Sequence, residues 1–334
     1  MYSIPFHTKS LKEYSFLVTG GAGFIGSNIV EYLLKYDAKK VVVLDDLSTG
    51  FIENIEPYIN HPNVRFIQGS ICDEKVCKEA CQGIDFILHQ AALGSVPRSI
   101  ENPLATNSVN VSGFLNILVA AKDAKVKRII YASSSSVYGD SKTLPKDEAV
   151  IGKPLSPYAV SKLTNELYAD IFAKVYRMQI TGLRYFNIFG PRQNPEGPYA
   201  AAIPLFINAL MNNKAPVING DGEQTRDFTF VENAVQANIK AAFADYHSSE
   251  NKIYNVAVGE RVSINQLFNI LKKYIGSAIN PIYGNERMGD VRDSLADISK
   301  AKKYLEYQPM IKTQEGLQIT MEWFKKRFPE VQKN

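Results

Sequence analysis

The chain has 334 residues, of which 45% are hydrophobic and 22% are charged, and its formal net charge is +4. This length suits one large domain with a smaller one, and the composition is ordinary for a globular protein. The mild, unclustered charge gives no basis for a nucleic-acid-binding surface, so we expect no nucleic-acid partner.

The apolar runs along the chain are short. Runs such as residues 16–18 and 41–44 cannot cross a bilayer, and residues 1–12 have no apolar signal core. We therefore expect a cytoplasmic protein with no membrane association.

The three cysteines are Cys72, Cys77 and Cys81, and their spacing matches no common zinc pattern. No histidine lies close to them in sequence, and their odd number argues against a disulfide framework. We interpret them as reduced, partly buried thiols and expect no metal site.

Short apolar segments alternate with helical segments along the first half of the chain. Segments rich in Val, Ile and Phe predict strands whose two faces are both covered. Right-handed crossovers then give an α/β fold with a doubly wound parallel sheet of the Rossmann type. The predicted strands are residues 16–19, 41–45, 64–68, 85–89, 128–133 and 180–184, and the predicted helices are residues 26–36, 74–82, 107–123 and 156–176.

The pattern changes after Arg184. Residues 190–226 are rich in Gly, Pro and Asn and predict turns. Beyond them we expect a helix at residues 231–244, a strand at 254–258, and mostly helices at 263–325 with one short strand near 281–283. We therefore expect a Rossmann domain at residues 1–189, to which residues 227–258 return, and a smaller mixed α/β domain at residues 190–334.

A Gly-x-x-Gly-x-x-Gly run lies between the first strand and the first helix. Gly20, Gly23 and Gly26 allow a sharp turn and let the backbone approach a pyrophosphate. The helix N-terminus then offers free N–H groups and a positive dipole end to the anion. Glycines also serve plain strand–helix turns, but the flanking strand and helix favour a dinucleotide site.

Asp45 closes the second strand. A carboxylate there accepts hydrogen bonds from the adenosine ribose hydroxyls and repels a 2′-phosphate, which favours NAD over NADP. The alternative is that Asp45 and Asp46 simply begin a turn.

Tyr158 and Lys162 have the spacing Tyr-x-x-x-Lys. Ser156 is a good N-cap and Pro157 suits the first helical position, so both side chains should lie on one face of the first helical turns. The ammonium group and the helix dipole should lower the pKa of Tyr158 and make it a general base on a sugar hydroxyl. The same spacing is also common on ordinary exposed helices.

A serine run at residues 133–136 ends the fifth strand. Ligands of open α/β sheets bind outside the carboxyl ends of the strands. We expect at least one of these serines to share a proton with the substrate oxygen that faces Tyr158. The alternative is a plain polar loop.

Taken together, these motifs resemble the extended short-chain dehydrogenase/reductases, and within them the UDP-sugar 4-epimerases. The resemblance runs from about Phe16 to Lys303 and is carried by residues 19–26, 134–139, 156–162 and 183–187. It implies that Tyr158 is the base, that Lys162 is its electrostatic partner and a ligand of the NAD ribose, and that Ser134 bonds the reacting O4.

The resemblance also implies the remaining site residues. Asn187 would bond a substrate phosphate, and Arg226 and Arg292 would hold the pyrophosphate, a role that suits guanidinium groups. Many relatives carry Asp after the glycine that ends the third strand, where this chain has Gly69 and Ser70, so a serine would have to contact the adenine. The implied NAD site is Gly20, Gly23, Phe24, Ile25, Gly26, Asp45, Ser70, Ile71, Ala91, Tyr158 and Lys162, and the implied substrate site is Ser95, Ser134, Ser135, Tyr158, Asn187, Arg226, Arg292 and Ser294.

The reaction implied by this resemblance is a 4-epimerisation. Tyr158 would take the proton of the sugar O4 while hydride leaves C4, and the resulting 4-keto sugar would be reduced again from its other face. NAD would be regenerated in every cycle and would stay bound to the protein.

A nucleotide-sugar dehydratase is the nearest alternative. Such relatives place Asp-Glu or Glu just after the catalytic Ser or Thr, whereas Ser135 and Ser136 offer no titrating acid or base here. A decarboxylating or simple reductase activity is a further alternative, as is a non-catalytic NAD-binding sensor. The intact Tyr158, Lys162 and Ser134 argue against the sensor.

Two features favour an N-acetylated hexose. In the epimerases, the position of Ser294 stands at the hexose pocket and is bulky in enzymes that reject N-acetylated sugars. Residues 89–99 also resemble the subgroup that prefers such sugars, in which Ser95 could bond the acetamide. The sequence thus predicts interconversion of UDP-N-acetylglucosamine and UDP-N-acetylgalactosamine, with UDP-glucose/UDP-galactose or a UDP-uronic acid as alternatives. Should Ser294 merely cap or turn the chain, the pocket would be set elsewhere.

The relatives often dimerise through two helices per subunit, which correspond here to residues 107–123 and 156–176. We therefore expect a homodimer, with a role in nucleotide-sugar metabolism and polysaccharide biosynthesis.

Overall fold

The computed structural model describes residues 1–196, 200–245, 252–286 and 292–328. Seven strands in this part of the chain form one sheet in the order β11-β6-β5-β4-β1-β2-β3, and every neighbouring pair is parallel. The six shorter strands pair two by two outside it. In chain order the strands are β1 Ser15–Thr19, β2 Lys40–Asp45, β3 Val64–Gln68, β4 Phe86–His89, β5 Arg128–Ser134, β6 Ile180–Tyr185, β7 Ile188–Phe189, β8 Val217–Asn219, β9 Thr225–Arg226, β10 Thr229–Phe230, β11 Lys252–Val256, β12 Val262–Ser263 and β13 Ile282–Gly284.

Helices cover both faces of the seven-stranded sheet. Leu33 of the first helix and Val235 of the eighth pack in the core on one face, and Ile117 and Phe172 pack on the other. This is the doubly wound parallel sheet that the sequence predicts. The helices are α1 Phe24–Lys35, α2 Glu74–Ala80, α3 Val96–Glu101, α4 Pro103–Asn107, α5 Phe114–Asp123, α6 Pro157–Tyr176, α7 Ala202–Met211, α8 Val231–Phe243, α9 Ile264–Ile275, α10 Ser299–Leu305 and α11 Thr313–Arg327.

A third hydrophobic cluster lies among helices of the C-terminal half. Phe206 of α7, Leu267 of α9 and Leu317 of α11 are buried together in it. Strand β11 nevertheless pairs with β6 in the large sheet, and α8 packs on that sheet. The division of the chain into two domains at residue 190 stays a prediction.

The sequence pattern was misleading in two stretches. Residues 190–226 suggest only turns, but α7 lies there because its apolar side chains, among them Ile203 and Ile207, find a core to pack in. The single helix expected at residues 107–123 is instead the end of α4, a π-helical segment at Ser108–Gly113, and α5. A π-helical segment of this kind interrupts the regular helical hydrogen bonds.

The helical run Pro103–Asp123 is long and apolar enough to cross a membrane by length and composition alone. This corrects the expectation that every apolar run is too short. Phe114, Ile117 and Leu118 of this run are buried in the core beside the sheet, and a core helix passes the same test. The run is therefore weak evidence for a membrane span.

All three cysteines are free thiols; Cys77 and Cys81 are buried and Cys72 is exposed. Burial raises the pKa of both the Cys77 and Cys81 thiols to about 12, which keeps them protonated and unreactive. Across the described ranges, His, Cys, Asp and Glu side chains form no group that could hold a metal ion.

Candidate functional site

A cavity of about 730 Å³ opens at the carboxyl ends of the central strands. The loops after β1, β2, β4 and β5 and the start of α6 line it. A second cavity of about 260 Å³, lined by α7, β8 and β9, adjoins it. The two cavities share Asn187, Ile188, Gln193, Ala200 and Ala201 as lining residues. An elongated ligand can therefore occupy both.

The glycine run forms a tight loop between β1 and α1. Gly20 has a φ of +65°, and a Cβ there would lie 2.7 Å from the backbone nitrogen of Ala91. A Cβ on Gly26 would lie 2.1 Å from the Gly20 carbonyl oxygen, so a side chain at either position would displace backbone. Gly23 lines the cavity directly before the first turn of α1. This cradle fits the pyrophosphate of a dinucleotide.

Asp45 lies at the end of β2 and lines the same cavity. Its two carboxylate oxygens accept hydrogen bonds from the backbone nitrogens of Ala22, at 2.9 Å, and Leu47, at 2.8 Å. Burial raises the pKa of Asp45, and these hydrogen bonds oppose the rise. The carboxylate thus shapes the glycine loop as well as facing the ligand space.

All but one of the expected NAD-site residues line the large cavity. The exception is Ser70, whose neighbours Gly69 and Ile71 line it instead. The Ser70 hydroxyl accepts a hydrogen bond from the Cys72 backbone nitrogen at 3.3 Å. The structure therefore does not bring Ser70 to the cavity wall. The residues that do line it are Gly20, Gly23, Phe24, Ile25, Gly26, Asp45, Ile71, Ala91, Tyr158 and Lys162.

Tyr158 and Lys162 lie at the start of α6, as their spacing predicts. The Ser156 hydroxyl caps the helix by accepting a hydrogen bond from the Ala159 backbone nitrogen at 3.1 Å, and Pro157 is the first helical residue. The Lys162 ammonium donates a hydrogen bond to the Ala132 carbonyl oxygen at 2.8 Å. The Ser134 side chain, at the end of β5, lies close enough to the Tyr158 phenol to lower its pKa.

The protonation of this pair differs from the expectation. Burial raises the pKa of Tyr158, and the interaction with Ser134 only partly opposes the rise. Burial also lowers the pKa of Lys162 to about 8, and Glu166 partly opposes that change. The expected fall in the Tyr158 pKa is therefore wrong for the protein without ligands, because loss of hydration penalises both charged forms.

The expected substrate residues divide into two groups. Ser95, Ser134, Ser135, Tyr158 and Asn187 line the large cavity. Arg226 lines the smaller one, whereas Arg292 and Ser294 line neither of the two.

Arg292 and Ser294 nevertheless lie on a segment bonded to β9. The Thr225 backbone nitrogen donates to the Arg292 carbonyl oxygen at 3.1 Å, and the Ser294 backbone nitrogen donates to the Thr225 carbonyl oxygen at 3.1 Å. The Arg292 guanidinium pairs with Asp221 at 2.9 Å and is more than half exposed. Residues 289–291, which belong to the same motif, lie outside the described residues.

Sequence reasoning missed three cavity features. Gln193 lines both cavities, and within the described part of the chain its buried Oε1 atom has no hydrogen-bond partner. Arg98 also lines the large cavity, beside Ser95, which has a φ of +102°. No sequence pattern marked Gln193, because it lies in an irregular loop whose path depends on distant contacts. Arg98 falls within residues 89–99, but the resemblance of that stretch pointed only to Ser95.

The third missed feature is a closed set of hydrogen bonds behind the cavity wall. The Asn238 amide donates to the Tyr185 hydroxyl at 2.6 Å, and the Gln90 amide donates to the Asn238 amide oxygen at 3.0 Å. The Tyr185 hydroxyl donates to the Gln90 amide oxygen at 3.1 Å. These bonds fix Tyr185 and Gln90, both of which line the cavity.

Asn110 holds the loop after β4 against α6. It lies in the π-helical segment, and its side chain accepts a hydrogen bond from the Leu93 backbone nitrogen at 2.7 Å. Its amide group donates to the Leu93 carbonyl oxygen and to the Ser161 hydroxyl, both at 3.1 Å. The loop that carries Ser95 is thereby fixed relative to Tyr158.

Comparison with known proteins gives concordant results. Residues 16–257 match the NAD dependent epimerase/dehydratase family. The structure is similar to a UDP-N-acetylglucosamine 4-epimerase from Methanobrevibacter ruminantium, solved with UDP-N-acetylmuramic acid, at 41% identity and a TM-score of 0.88; the match covers 94% of this chain and 99% of that one.

Two other solved structures are similar over nearly the same length. A UDP-glucose 4-epimerase from Thermotoga maritima, with UDP-glucose, is 36% identical, with a TM-score of 0.88 and coverage of 94% and 99%. A UDP-glucuronic acid 4-epimerase from Bacillus cereus, with UDP-glucuronic acid and NAD, is 31% identical, with a TM-score of 0.86 and the same coverage. The resemblance expected from the motifs is confirmed, and so is NAD as the cofactor. The chain belongs to the NAD dependent epimerase/dehydratase family, as an NAD-dependent enzyme of the UDP-sugar 4-epimerase type.

Proposed function

We propose that the protein interconverts UDP-N-acetylglucosamine and UDP-N-acetylgalactosamine, and that it acts more slowly on UDP-glucose and UDP-galactose. The observation that carries the epimerase assignment is the convergence of Tyr158, Ser134 and the glycine loop on one cavity. That cavity adjoins a second one lined by Arg226, which supports a substrate with a nucleotide at one end.

Each catalytic side chain has a defined role in this proposal. Tyr158 takes the proton from the sugar O4 and later returns it, and Ser134 holds the same oxygen by a hydrogen bond. Lys162, fixed by the Ala132 carbonyl oxygen, stabilises the phenolate form of Tyr158 and also binds the NAD ribose. NAD, when bound, accepts hydride from C4 and gives it back.

The nucleotide diphosphate is assigned to the smaller cavity and its junction with the larger one. Asn187 lines both cavities and would bond a phosphate oxygen. Its amide group donates to the Asp227 carbonyl oxygen at 3.0 Å, which holds the side chain in place. Arg226 and Arg292 would hold the pyrophosphate, although Arg292 must leave its exposed pair with Asp221 to do so.

The N-acetylated sugar is supported by small residues. Gly94 and Ser95 line the large cavity, and Ser95 could bond the acetamide. Gln193 offers a buried acceptor without a partner among the described residues, which suits a sugar hydroxyl or the acetamide N–H.

A dehydratase would need a titrating acid and base next to Ser134, where this chain has Ser135 and Ser136.

A homodimer is supported by an exposed apolar stripe. Val160, Leu167, Ile171 and Val175 of α6 are between 52% and 62% exposed, and Leu104 of α4 is 83% exposed. Such a contiguous apolar face is typical of a protein–protein interface.

We place the protein in the cytoplasm, in nucleotide-sugar metabolism and polysaccharide biosynthesis, without nucleic-acid or membrane partners.

The test is to incubate the purified protein separately with UDP-N-acetylglucosamine, UDP-glucose and UDP-glucuronic acid and to resolve the products by NMR. We expect the 4-epimer from each accepted substrate, the fastest conversion for the N-acetylated one, and little need for added NAD. Preference for UDP-glucose or the uronic acid would overturn the sugar assignment. Retention of NAD with no epimer from any substrate would support the sensor instead.

A further inference from the structure

Glu166 lies on α6 one helical turn beyond Lys162, on the same face as Tyr158 and Lys162. Glu166 and Lys162 are each only 3% exposed. One carboxylate oxygen of Glu166 accepts hydrogen bonds from the Ser133 hydroxyl at 2.6 Å and from Arg184 Nε at 2.9 Å. The other oxygen accepts a hydrogen bond from Arg184 Nη2 at 2.8 Å. Both carboxylate oxygens therefore accept hydrogen bonds, which fix the carboxylate in position.

Two residues beside Glu166 lie in the wall of the large cavity. Ser133 and Lys162 both line the cavity, and Glu166 lies behind them. On its far side, the Arg184 guanidinium stacks on the Tyr138 ring at 4.8 Å and donates to the Glu148 carbonyl oxygen at 3.1 Å. Glu166 thus connects the cavity wall to the rigid interior of the sheet.

Few other charged or titratable groups face this pair. His89 of β4 lies close enough to Lys162 for the two to interact electrostatically, and burial keeps His89 neutral. Tyr131 of β5 interacts with Glu166, and burial keeps its phenol protonated. Tyr158, on α6 itself, is a further neighbour of Lys162. Glu166 is therefore the one anionic group among these neighbours of Lys162.

We propose that Glu166 is a positioning residue for the reaction, which holds Ser133 in the cavity wall and keeps the Lys162 ammonium charged beside Tyr158. This inference rests on the proposed roles of Tyr158 and Lys162. Without Glu166, the buried Lys162 ammonium would have no anionic group among these neighbours. Burial alone then favours loss of the lysine proton, because it penalises the charged form.

The protonation of Lys162 agrees with this arrangement. Burial lowers the pKa of Lys162 to about 8, and Glu166 is the charge that opposes the fall. The alternative is that Glu166 and Arg184 form a buried ion pair with a purely structural role. A structural pair would affect folding but would leave the titration of Lys162 unchanged.

The experiment compares Glu166→Gln with Asp170→Asn, which removes a carboxylate one turn further along α6. Two quantities are measured: the pH dependence of kcat in the holoenzyme, and the titration of Lys162 by NMR in lysine-labelled protein, with the signal assigned from Lys162→Met. We expect Glu166→Gln to move the alkaline limb of kcat and the Lys162 titration to lower pH by about one pH unit or more. Asp170→Asn should move neither.

A second variant covers the case in which Glu166→Gln does not fold because Arg184 is left unpaired. Glu166→Gln with Arg184→Gln replaces the ion pair by two amides that can bond each other. Because Glu166 and not Arg184 is the charge that acts on Lys162, the double variant should show the same downward shift. If the folded variants keep the wild-type alkaline limb and Lys162 titration and lose only thermal stability, the role is structural and the proposal is wrong. The NMR titration remains decisive even if the wild-type protein epimerises none of the UDP-sugars.

Discussion

The Lys162 ammonium lies 6.0 Å from the centre of the Tyr158 ring. It is anchored on the other side by the Ala132 carbonyl oxygen of β5. In the proposed mechanism, a cation held at this position would stabilise the phenolate form of Tyr158 without forming a direct ion pair with it. In the ligand-free protein, burial raises the pKa of Tyr158, which opposes formation of the phenolate that the proposed mechanism needs.

Replacing Tyr158 with Phe should leave NAD bound but reduce kcat by ~10²–10⁴-fold, because the proton of the sugar hydroxyl then has no acceptor. Bound NAD is measured after denaturing the purified protein, and kcat from the NMR assay. Tyr176→Phe, at the far end of α6, is the matched control and should retain full activity. Near-normal turnover in Tyr158→Phe would remove this residue from the mechanism.

The strands of the large sheet and the start of α6 could be predicted because the sequence patterns that specify them are local. The apolar runs and the Ser156-Pro157 cap specify β1 to β6 and the start of α6 without reference to distant residues. The desolvation of Tyr158 could not be predicted in this way, and it reverses the expected fall in the Tyr158 pKa. Charge–charge attraction is visible in the spacing, but desolvation depends on everything packed around the pair.

Long-range contacts explain the other differences. Residues 1–12 show no structural pattern, yet Tyr2 is fully buried and its backbone nitrogen donates to Glu232 of α8 at 2.9 Å. The position of Ser294 in a motif predicts that it lies at the hexose pocket. Where it lies in the structure depends instead on the pairing of its segment with Thr225. A motif gives the order of residues along the chain, whereas the wall of a cavity is set by which segments meet.

Replacing Asp45 with Asn should weaken NAD binding and reduce the preference for NAD over NADP. Removal of the charge ends the repulsion of a 2′-phosphate. The Ala22 and Leu47 backbone nitrogens donate to different oxygens of Asp45, so one of them would face the NH2 group of the asparagine. Dissociation constants for both nucleotides, measured by calorimetry on protein stripped of NAD, give the ratio. Asp46→Asn is the comparison: if it changes that ratio more than Asp45→Asn, the ribose contact belongs to Asp46.

His89 makes the folded state sensitive to acid. Burial lowers the pKa of His89 to about 3 from its ordinary value of 6.5, so the folded protein holds the ring neutral while the unfolded chain takes up a proton. This contribution to stability is fully present above pH 6.5 and is lost as the pH falls from 6.5 toward 3, by at most about 1.4 kcal/mol per pH unit.

His89→Asn should therefore show a smaller loss of unfolding free energy than the wild type between pH 6.5 and 4.5. The asparagine can still bond the Thr19 hydroxyl, which lies 2.8 Å from His89 Nδ1, but it takes up no proton. Urea unfolding at several pH values measures the difference. His61→Asn, at an exposed position, should follow the wild-type curve; parallel curves for His89→Asn and the wild type would mean that His89 already titrates normally in the folded protein.

Replacing Ser294 with Tyr should reduce activity on UDP-N-acetylglucosamine more than activity on UDP-glucose. Ser294 lines neither cavity, but its segment is bonded to Thr225, next to Arg226 in the wall of the smaller cavity. A tyrosine side chain extends much farther than serine, and overlap with the 2-acetamido group would cost about 1–3 kcal/mol of selectivity, or roughly 10- to 200-fold in relative kcat/KM. The ratio of kcat/KM for the two substrates is the measurement, and Ser299→Tyr, at the exposed start of α10, is the control for a bulky surface residue. If Ser294→Tyr lowers activity on both substrates equally, Ser294 does not set the sugar preference, and the acetamido group must be recognised elsewhere, with Ser95 and Gln193 as the next side chains to replace.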